Sequence, residues 1–390
     1  MHRKLITIPG VARVCRAFRA PRVFRISWIS ACTWLLPLLG WLAFAVRADA
    51  EPGPPAAKPG AATPAPGAAS DAAALPLTVS PAWLDAHLHD RDLVLLHIGA
   101  PEGYQKQHIP GARAVALADI AVQMQGDDGL HLEMLPAEEL RHRLEKLGIS
   151  NDAKIVVYVG EDWVSPATRV VFTLDAAGLG GRTALLDGGM PAWQREGHAV
   201  TAAATPARTA TLAPLAMRPI VVTATTVMAS LGKPGVAVVD ARDRAFYDGT
   251  QTGASHDHAH RTGHIAGALS IPFDSVFDDK LVLRPAADLE ARFAQAGVKP
   301  GDTVIGYCHV GQQATAMLFA ARRLGHPVLL YDGSFEDWSR FHPGYPVETA
   351  PTKADAVPAK ADAVPAKVDA VPAKADAAPT KADAPPRGSR

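Results

Sequence analysis

The sequence predicts an α/β protein of two tandem domains, each a mainly parallel sheet flanked by helices. Three observations carry that expectation. Short apolar, β-rich runs alternate with helix-period segments between about residues 76 and 349. The same order of segments occurs twice, in register. Two segments with little to bury, the Pro/Ala/Gly-rich residues 51–75 and the repeats of 350–390, bound the folded part.

The ends come first. Residues 1–25 carry Arg3, Lys4, Arg13, Arg16, Arg19, Arg22 and Arg25, and an uncharged stretch runs from Ile26 to Val46. Ala48-Asp49-Ala50 follows Arg47 and fits signal-peptide cleavage after Ala50, so residues 1–50 are expected to be a leader. An uncleaved membrane anchor is the alternative, because the apolar stretch is long enough to span. Pro37, Gly40 and the small residues at the cut favour cleavage, with no stable membrane insertion afterwards. Ile29-Ser30-Ala31-Cys32 faintly resembles a lipoprotein box, but most of the apolar residues follow it. A periplasmic or secreted protein is the expectation. Residues 51–75, rich in Pro, Ala and Gly, read as a flexible linker. Residues 350–390 repeat KADAVPA from Lys353 and Lys360, with variants from Lys367, Lys374 and Lys381. A proline in every unit rules out a coiled coil and leaves a solvated, extended tail.

Charge narrows the function classes. The chain has 39 basic and 39 acidic side chains, and this balance argues against a general nucleic-acid binder.

The duplication is explicit. Residues 139–149 followed by KIVVYV to Val159 can be laid over residues 288–298 followed by TVIGYC to Cys308, at an offset of 149. Leu140 falls on Leu289, Gly148 on Gly297, Tyr158 on Tyr307, and Val159 on Cys308. "QHIPGARAVAL" matches "GHIAGALSIPF", and "LLDGGMPAW" matches "LLYDGSFEDW" with Asp187/Asp332 and Trp193/Trp338 aligned. We therefore expect domains at 76–205 and 216–349. In the second, strands are expected at 236–241, 268–273, 303–308 and 327–332, with helices near 223–231, 286–296 and 314–324. Gly325 is placed to end the last helix as its C′ residue.

The chemistry concentrates at Cys308. The other two cysteines, Cys15 and Cys32, lie in the leader, so the expected mature chain keeps a single thiol. In an oxidising compartment paired cysteines would form disulfides, and a lone one is either structural or reactive. Cys308 ends an apolar strand, and His309-Val310-Gly311-Gln312-Gln313 lead into a helix near Ala314. Such a strand-to-helix loop curls its backbone N–H groups around the first residue, Gly311 permits a left-handed turn, and the helix N-terminus adds positive potential. This setting favours a thiolate and an anion held on the sulfur. A structural cysteine requires none of it.

The tandem halves, Asp240-Ala241-Arg242, Gly263-His264-Ile265-Ala266-Gly267-Ala268, the Cys308–Gln313 loop and Asp332-Gly333 with Trp338 resemble the two-domain rhodanese (thiosulfate or 3-mercaptopyruvate sulfurtransferase) family. The resemblance implies two rhodanese-like domains, of which the second is catalytic. It implies that Cys308 takes a sulfane sulfur as a persulfide and passes it to a thiophilic acceptor such as cyanide. The expected partners are a small-molecule donor and acceptor, with no metal or other cofactor. The first half fits a silent companion. It has Val159 at the nucleophile position, a loop two residues longer, and Glu161 and Asp162, which would repel an anionic donor.

Cysteine phosphatases of the Cdc25 type share this scaffold but need Cys-x5-Arg, and position 314 is Ala. A non-catalytic sulfur- or partner-binding protein is a further alternative. A thiosulfate dianion needs cations, and Arg242 and Arg261 are the candidates, together with the loop residues His309, Val310, Gly311, Gln312 and Gln313. Arg242 can instead pair with Asp240 or Asp332. Animal-type relatives carry an arginine in a Gly-Arg-Phe/Tyr step where this chain has Ala245-Phe246-Tyr247. Mercaptopyruvate enzymes typically have Cys-Gly-Ser-Gly-Val-Thr, unlike Cys-His-Val-Gly-Gln-Gln, so thiosulfate is the expected donor. His256, His258, His260 and His264 cluster in sequence as metal ligands do, but they read more simply as a polar loop.

Overall fold

A computed structural model describes residues 74–122, 129–160, 163–255 and 258–350. The leader, nearly all of the linker and the repeat tail fall outside these residues, as do Glu161, Asp162 and His256. Both halves belong to one compact unit.

The first half contains strands β1 (Thr78–Val79), β2 (Leu93–Ile98), β3 (Arg113–Val115), β4 (Lys154–Val159) and β5 (Thr183–Leu186). Its helices are α1 (Pro81–His87), α2 (Pro101–Lys106), α3 (Ala137–Lys146), α4 (Ser165–Ala176) and α5 (Gly189–Arg195). The second half contains β6 (Val221–Val222), β7 (Val236–Asp240), β8 (Ala254–Ser255), β9 (His258–Ala259), β10 (His264–Ile265), β11 (Leu269–Ser270), β12 (Thr303–Tyr307), β13 (Val328–Tyr331) and β14 (Val347–Glu348). Its helices are α6 (Ala224–Ser230), α7 (Arg244–Asp248), α8 (Ala286–Ala296), α9 (Ala314–Arg323) and α10 (Ser334–Arg340).

Each half forms a five-stranded parallel sheet, ordered β1-β5-β4-β2-β3 and β6-β13-β12-β7-β11. The two orders are the same arrangement. The central strands β4 and β12 are apolar without alternation because helices cover both faces. The expected strand at 268–273 shrinks to Leu269–Ser270. It is an edge strand paired with β7 alone; Ile271 and Phe273 still donate to the Asp240 and Ala241 carbonyls, and the chain then turns into a 3-10 helix at Phe273–Val276. The other strand and helix expectations in this half lie within a residue or two of the observed bounds, and Gly325 has the left-handed φ of a C′ residue.

The matched His-Ile-x-Gly-Ala motifs pin each sheet in the same way. The Tyr158 hydroxyl accepts the Ile109 N–H (3.2 Å), and the Tyr307 hydroxyl accepts the Ile265 N–H (3.1 Å). His108 donates through Nδ1 to the Tyr104 carbonyl and His264 to the Tyr247 carbonyl, both at 2.7 Å. These histidines serve the fold.

One core cluster spans both halves, joining Val159, Val170 and Phe172 to Phe277, Cys308, Ala314 and Phe319. Helices α4 and α9 meet there. Each is buried on nearly every side, because one face packs on its own sheet and the other on the opposite half. At the seam the equivalent residues Thr168 and Thr315 join their hydroxyls at 2.9 Å. Among the described residues no helix is long and apolar enough to cross a membrane.

Candidate active site

Cys308 follows the last residue of β12 and is completely buried. Its backbone is held from below by α10. The Cys308 N–H donates to the Ser334 Oγ (3.1 Å), and the Cys308 and His309 carbonyls accept the N–H groups of Phe335 and Glu336 at 3.0 and 3.1 Å. Ser334 takes φ of 53°, a left-handed conformation uncommon for a residue with a Cβ, and its hydroxyl donates on to the Tyr331 carbonyl. In the first half the matching position is Gly189, with φ of 52°. The serine therefore brings to the second half a hydroxyl that its counterpart in the first lacks.

From Cys308 the chain turns through His309 and Val310, both half-buried, to Gly311, whose φ of 76° makes the left-handed turn expected from sequence. Helix α9 then begins at Ala314 with no side-chain cap. Among the described residues, the backbone N–H groups of His309, Val310, Gly311, Gln312 and Gln313 donate to no protein acceptor. A run of unpartnered amides on a loop that leads into a helix N-terminus is an anion cradle. The buried Nδ1 of His309 and Oε1 of Gln313 also lack protein partners. The structure thus brings Cys308, His309, Val310, Gly311, Gln312 and Gln313 together on one loop.

The two arginines behave otherwise. Arg242 is buried, with Nε and Nη2 gripping the Asp240 carboxylate (Nη2 to Oδ2 2.6 Å) and Nη2 also donating to the Gly263 carbonyl. Its guanidinium lies 4.1 Å from the Phe335 ring centre. The pairing with Asp240 is the alternative weighed from sequence. Arg242 is a fixed charge beneath the site that reaches Cys308 and His309 through its field, and it is not a mobile clamp for the donor. Arg261 is a plainer correction. Its Nη1 and Nη2 donate to the carbonyls of Tyr345 and Trp338, both at 2.7 Å, so it ties the end of α10 to the segment that follows. The sequence could not show those carbonyls folding back onto it.

Above the loop, Phe246 stands at the position where the resemblance puts an arginine, and it meets the His309 ring edge-on at 4.7 Å. His260 lies 5.5 Å from His309, and Gly253 leaves them room, because a Cβ there would come within 2.6 Å of His309 Cε1. Burial pushes both imidazoles down to about 4; the Arg242 charge adds to this for His309, and His309 and then Arg242 add to it for His260. Both rings are therefore neutral near pH 7. Of the remaining sequence-clustered histidines, His258 sits in β9, which pairs antiparallel with β8, and His264 is engaged by Tyr247 and Glu348. Among the described residues no group of three or more metal-binding side chains is assembled.

The first half lacks these features. Val159 occupies the strand end, and His97 replaces Asp240, with Nδ1 hydrogen-bonded to the Tyr158 hydroxyl at 3.0 Å.

Sequence reasoning missed two residues that shape the loop, Ser334 and Arg169. Arg169, in α4 of the first half, donates to the Gly311 carbonyl at 2.9 Å and pairs with Asp332. The signal for it was a lone arginine inside the apolar helical run SPATRVVFTLDA.

Comparison with known proteins agrees with this geometry. The family model for the Rhodanese-like domain matches residues 80–196 and again 223–341. The thiosulfate sulfurtransferase of Azotobacter vinelandii is 30% identical over 287 residues, covering 71% of this chain and 99% of that protein. A probable 3-mercaptopyruvate sulfurtransferase of Pseudomonas aeruginosa is 33% identical over 252 residues, covering 63% and 86%. Among solved structures, YnjE superposes with a TM-score of 0.63 at 25% identity, over 71% of this chain and 69% of that one. An anaerobic ergothioneine biosynthesis enzyme from Chlorobium limicola shares the fold, with a TM-score of 0.61 at 22% identity over 71% of each chain.

Proposed function

The chain belongs to the rhodanese family of sulfurtransferases, and on that premise we propose that it moves a sulfane sulfur from thiosulfate, through a persulfide on Cys308, to cyanide or a thiol. The Cys308 thiolate attacks the outer sulfur of thiosulfate. The S–S bond of the donor breaks, and its electron pair leaves with sulfite. The acceptor then attacks the outer sulfur of the persulfide, and Cys308 leaves as the thiolate. The observation that carries this reading is the run of amides from His309 to Gln313 that, among the described residues, have no protein acceptor, beside the one thiol of those residues, buried Cys308. Such donors stabilise the negative charge that the sulfur carries before, during and after transfer. A lone thiol also suits the chemistry, because a neighbouring cysteine would resolve the persulfide into a disulfide.

Thiosulfate is favoured over 3-mercaptopyruvate by the Cys-His-Val-Gly-Gln-Gln loop and by the names of several relatives. Phe246 against His309 removes the donor-binding arginine that the resemblance implies, so anion binding rests on the loop amides and the Arg242 field. The decisive experiment incubates the protein with thiosulfate, 3-mercaptopyruvate or a polysulfide and no acceptor. Mass spectrometry should find one added sulfur atom on Cys308, and cyanide should remove it. Cys308→Ser should abolish transfer with the fold intact. No added sulfur from any donor would leave the non-catalytic binding protein in its place. Export is a separate part of this reading and rests on the leader sequence alone. Amino-terminal sequencing should find mature protein beginning at or near Glu51, and residues 1–50 retained on membranes would mean an anchor instead.

A further inference from the structure

We infer that Arg169, in the silent half, is a positioning residue for the Cys308 loop; this rests on the sulfurtransferase reading above. Arg169 is buried within α4. Its Nη1 donates to the Gly311 carbonyl (2.9 Å) and to the Asp332 carboxylate, and its Nη2 donates to the Leu132 carbonyl. The other Asp332 oxygen accepts the Met134 N–H at 2.7 Å. Gly311 turns inside this socket. A Cβ on it would lie 2.6 Å from the Asp332 carbonyl, 2.7 Å from Oδ1 and 2.9 Å from Arg169 Nη1. The silent half grips the next residues too, with Gln312 Nε2 donating to Ser165 Oγ at 3.0 Å and Thr315 meeting Thr168.

The two halves differ at this point. Asp187 matches Asp332, and it accepts the Leu283 N–H at 3.0 Å much as Asp332 accepts that of Met134. Leu132 and Leu281 occupy equivalent left-handed positions in the two crossing segments, with φ of 58° and 60°. The seam contact is therefore present twice, but the arginine is not. The residue of α9 that matches Arg169 is Ala316, and burial raises the Asp187 carboxyl with no cation to oppose it. If the arginine served only to join the halves, either seam would suit it. It stands only at the loop that bears the thiol.

Peptide geometry gives it a task. In a trans peptide the carbonyl of Gly311 and the N–H of Gln312 point in opposite directions. Anchoring that carbonyl on Arg169 turns the Gln312 N–H to the opposite side of the loop, where it has no protein acceptor among the described residues. Arg169 thereby fixes one amide of the anion cradle in advance, as electrostatic preorganisation requires.

The test compares Arg169→Gln, Arg169→Lys and, as a seam control, Arg322→Gln in the full chain. Arg322 meets Asp175 across the same seam at 3.1 Å without touching the loop. Folded protein is verified by circular dichroism. Loss of positioning should lower kcat by about a hundredfold in Arg169→Gln, with KM within about threefold of wild type. Arg169→Lys should recover part of kcat, because an ammonium keeps the charge but not the fork. Arg322→Gln should turn over like wild type. Wild-type kcat in Arg169→Gln overturns the inference, and if that variant fails to fold, wild-type kcat in Arg169→Lys does so. An equal loss in Arg322→Gln also overturns it, since any weakening of the seam would then suffice. If wild type gains no sulfur from any donor, the sulfurtransferase reading fails instead. Cys308 alkylation by iodoacetamide still tests the positioning, and a rate in Arg169→Gln within twofold of wild type counts against it.

Discussion

The Cys308 amide donates to the Ser334 hydroxyl, and that hydroxyl donates to the Tyr331 carbonyl, so one side chain joins Cys308 to the strand beside it. Ser334 adopts a left-handed backbone to do so. Ser334→Ala should keep the backbone strain and leave a buried N–H unpaired, costing about 1–3 kcal/mol of stability and slowing sulfur transfer. Ser334→Gly relieves the strain but loses the same hydrogen bond, so it should be more stable than Ser334→Ala and equally impaired in transfer. Denaturant titration and steady-state kinetics separate the two effects. Full activity in both variants would remove Ser334 from the site.

Gly311 should not tolerate a side chain. A Cβ there meets the Asp332 backbone and the Arg169–Asp332 pair, and a φ of 76° is strained for any L side chain. Gly311→Ala is expected to lose most sulfur transfer and to cost about 1–3 kcal/mol. Gly325, also at positive φ but with nothing within 4 Å, supplies the contrast. Gly325→Ala should cost about 1 kcal/mol and leave transfer unchanged.

Asp240 and Arg242 form a buried ion pair at 2.6 Å beneath the site. Asp240→Asn leaves the guanidinium buried without its counter-charge, and the expected loss is about 3–5 kcal/mol. Thermal unfolding measures it directly. A change below 1 kcal/mol would mean that Arg242 relaxes toward solvent and is freer than its geometry indicates.

Much of this was legible in the sequence, for physical reasons. Apolar runs such as KIVVYV and TVIGY mark central parallel strands because both sheet faces are covered, and the duplication fixes which strand ends correspond. Cys308 and Gly311 were legible because local chain geometry makes the loop. Arg169 and Ser334 were not, because each reaches the loop through tertiary contacts that no local periodicity encodes. Arg261 was misread for the converse reason. A basic residue beside a motif looks like an anion ligand until the carbonyls that occupy it are seen.

Acid should weaken the fold through the buried histidines. His309 is held down to about 4, against about 6.5 in an unfolded chain. Between those values the unfolded chain binds a proton that the folded one refuses, so the His309 contribution to stability is lost as pH drops from about 6.5 to about 4 and changes no further below that. The contribution of His309 is on the order of 3 kcal/mol. Denaturant midpoints at pH 7.5, 5.5 and 4.5 should show the decline in wild type and a shallower one in His309→Gln. Parallel curves for the two proteins would contradict the burial of a neutral imidazole.

The first half should not transfer sulfur even when it is given a thiol. Val159→Cys, made in a Cys308→Ala background, puts sulfur at the end of β4, where the strand geometry matches that of β12. What surrounds it does not match. Gly189 stands where Ser334 supplies its hydroxyl, and Ala316 stands where Arg169 would anchor the turn. Val159 is itself pressed against Gly189, where a Cβ would lie 2.4 Å from Val159 Cγ1 and 2.7 Å from its carbonyl oxygen. Adding a serine hydroxyl at Gly189 to rebuild the site would therefore collide with that backbone. Neither a persulfide nor sulfur transfer is expected from the double variant with any donor. Recovered turnover would mean that a strand-end thiol suffices and that the loop supports found only in the second half contribute little.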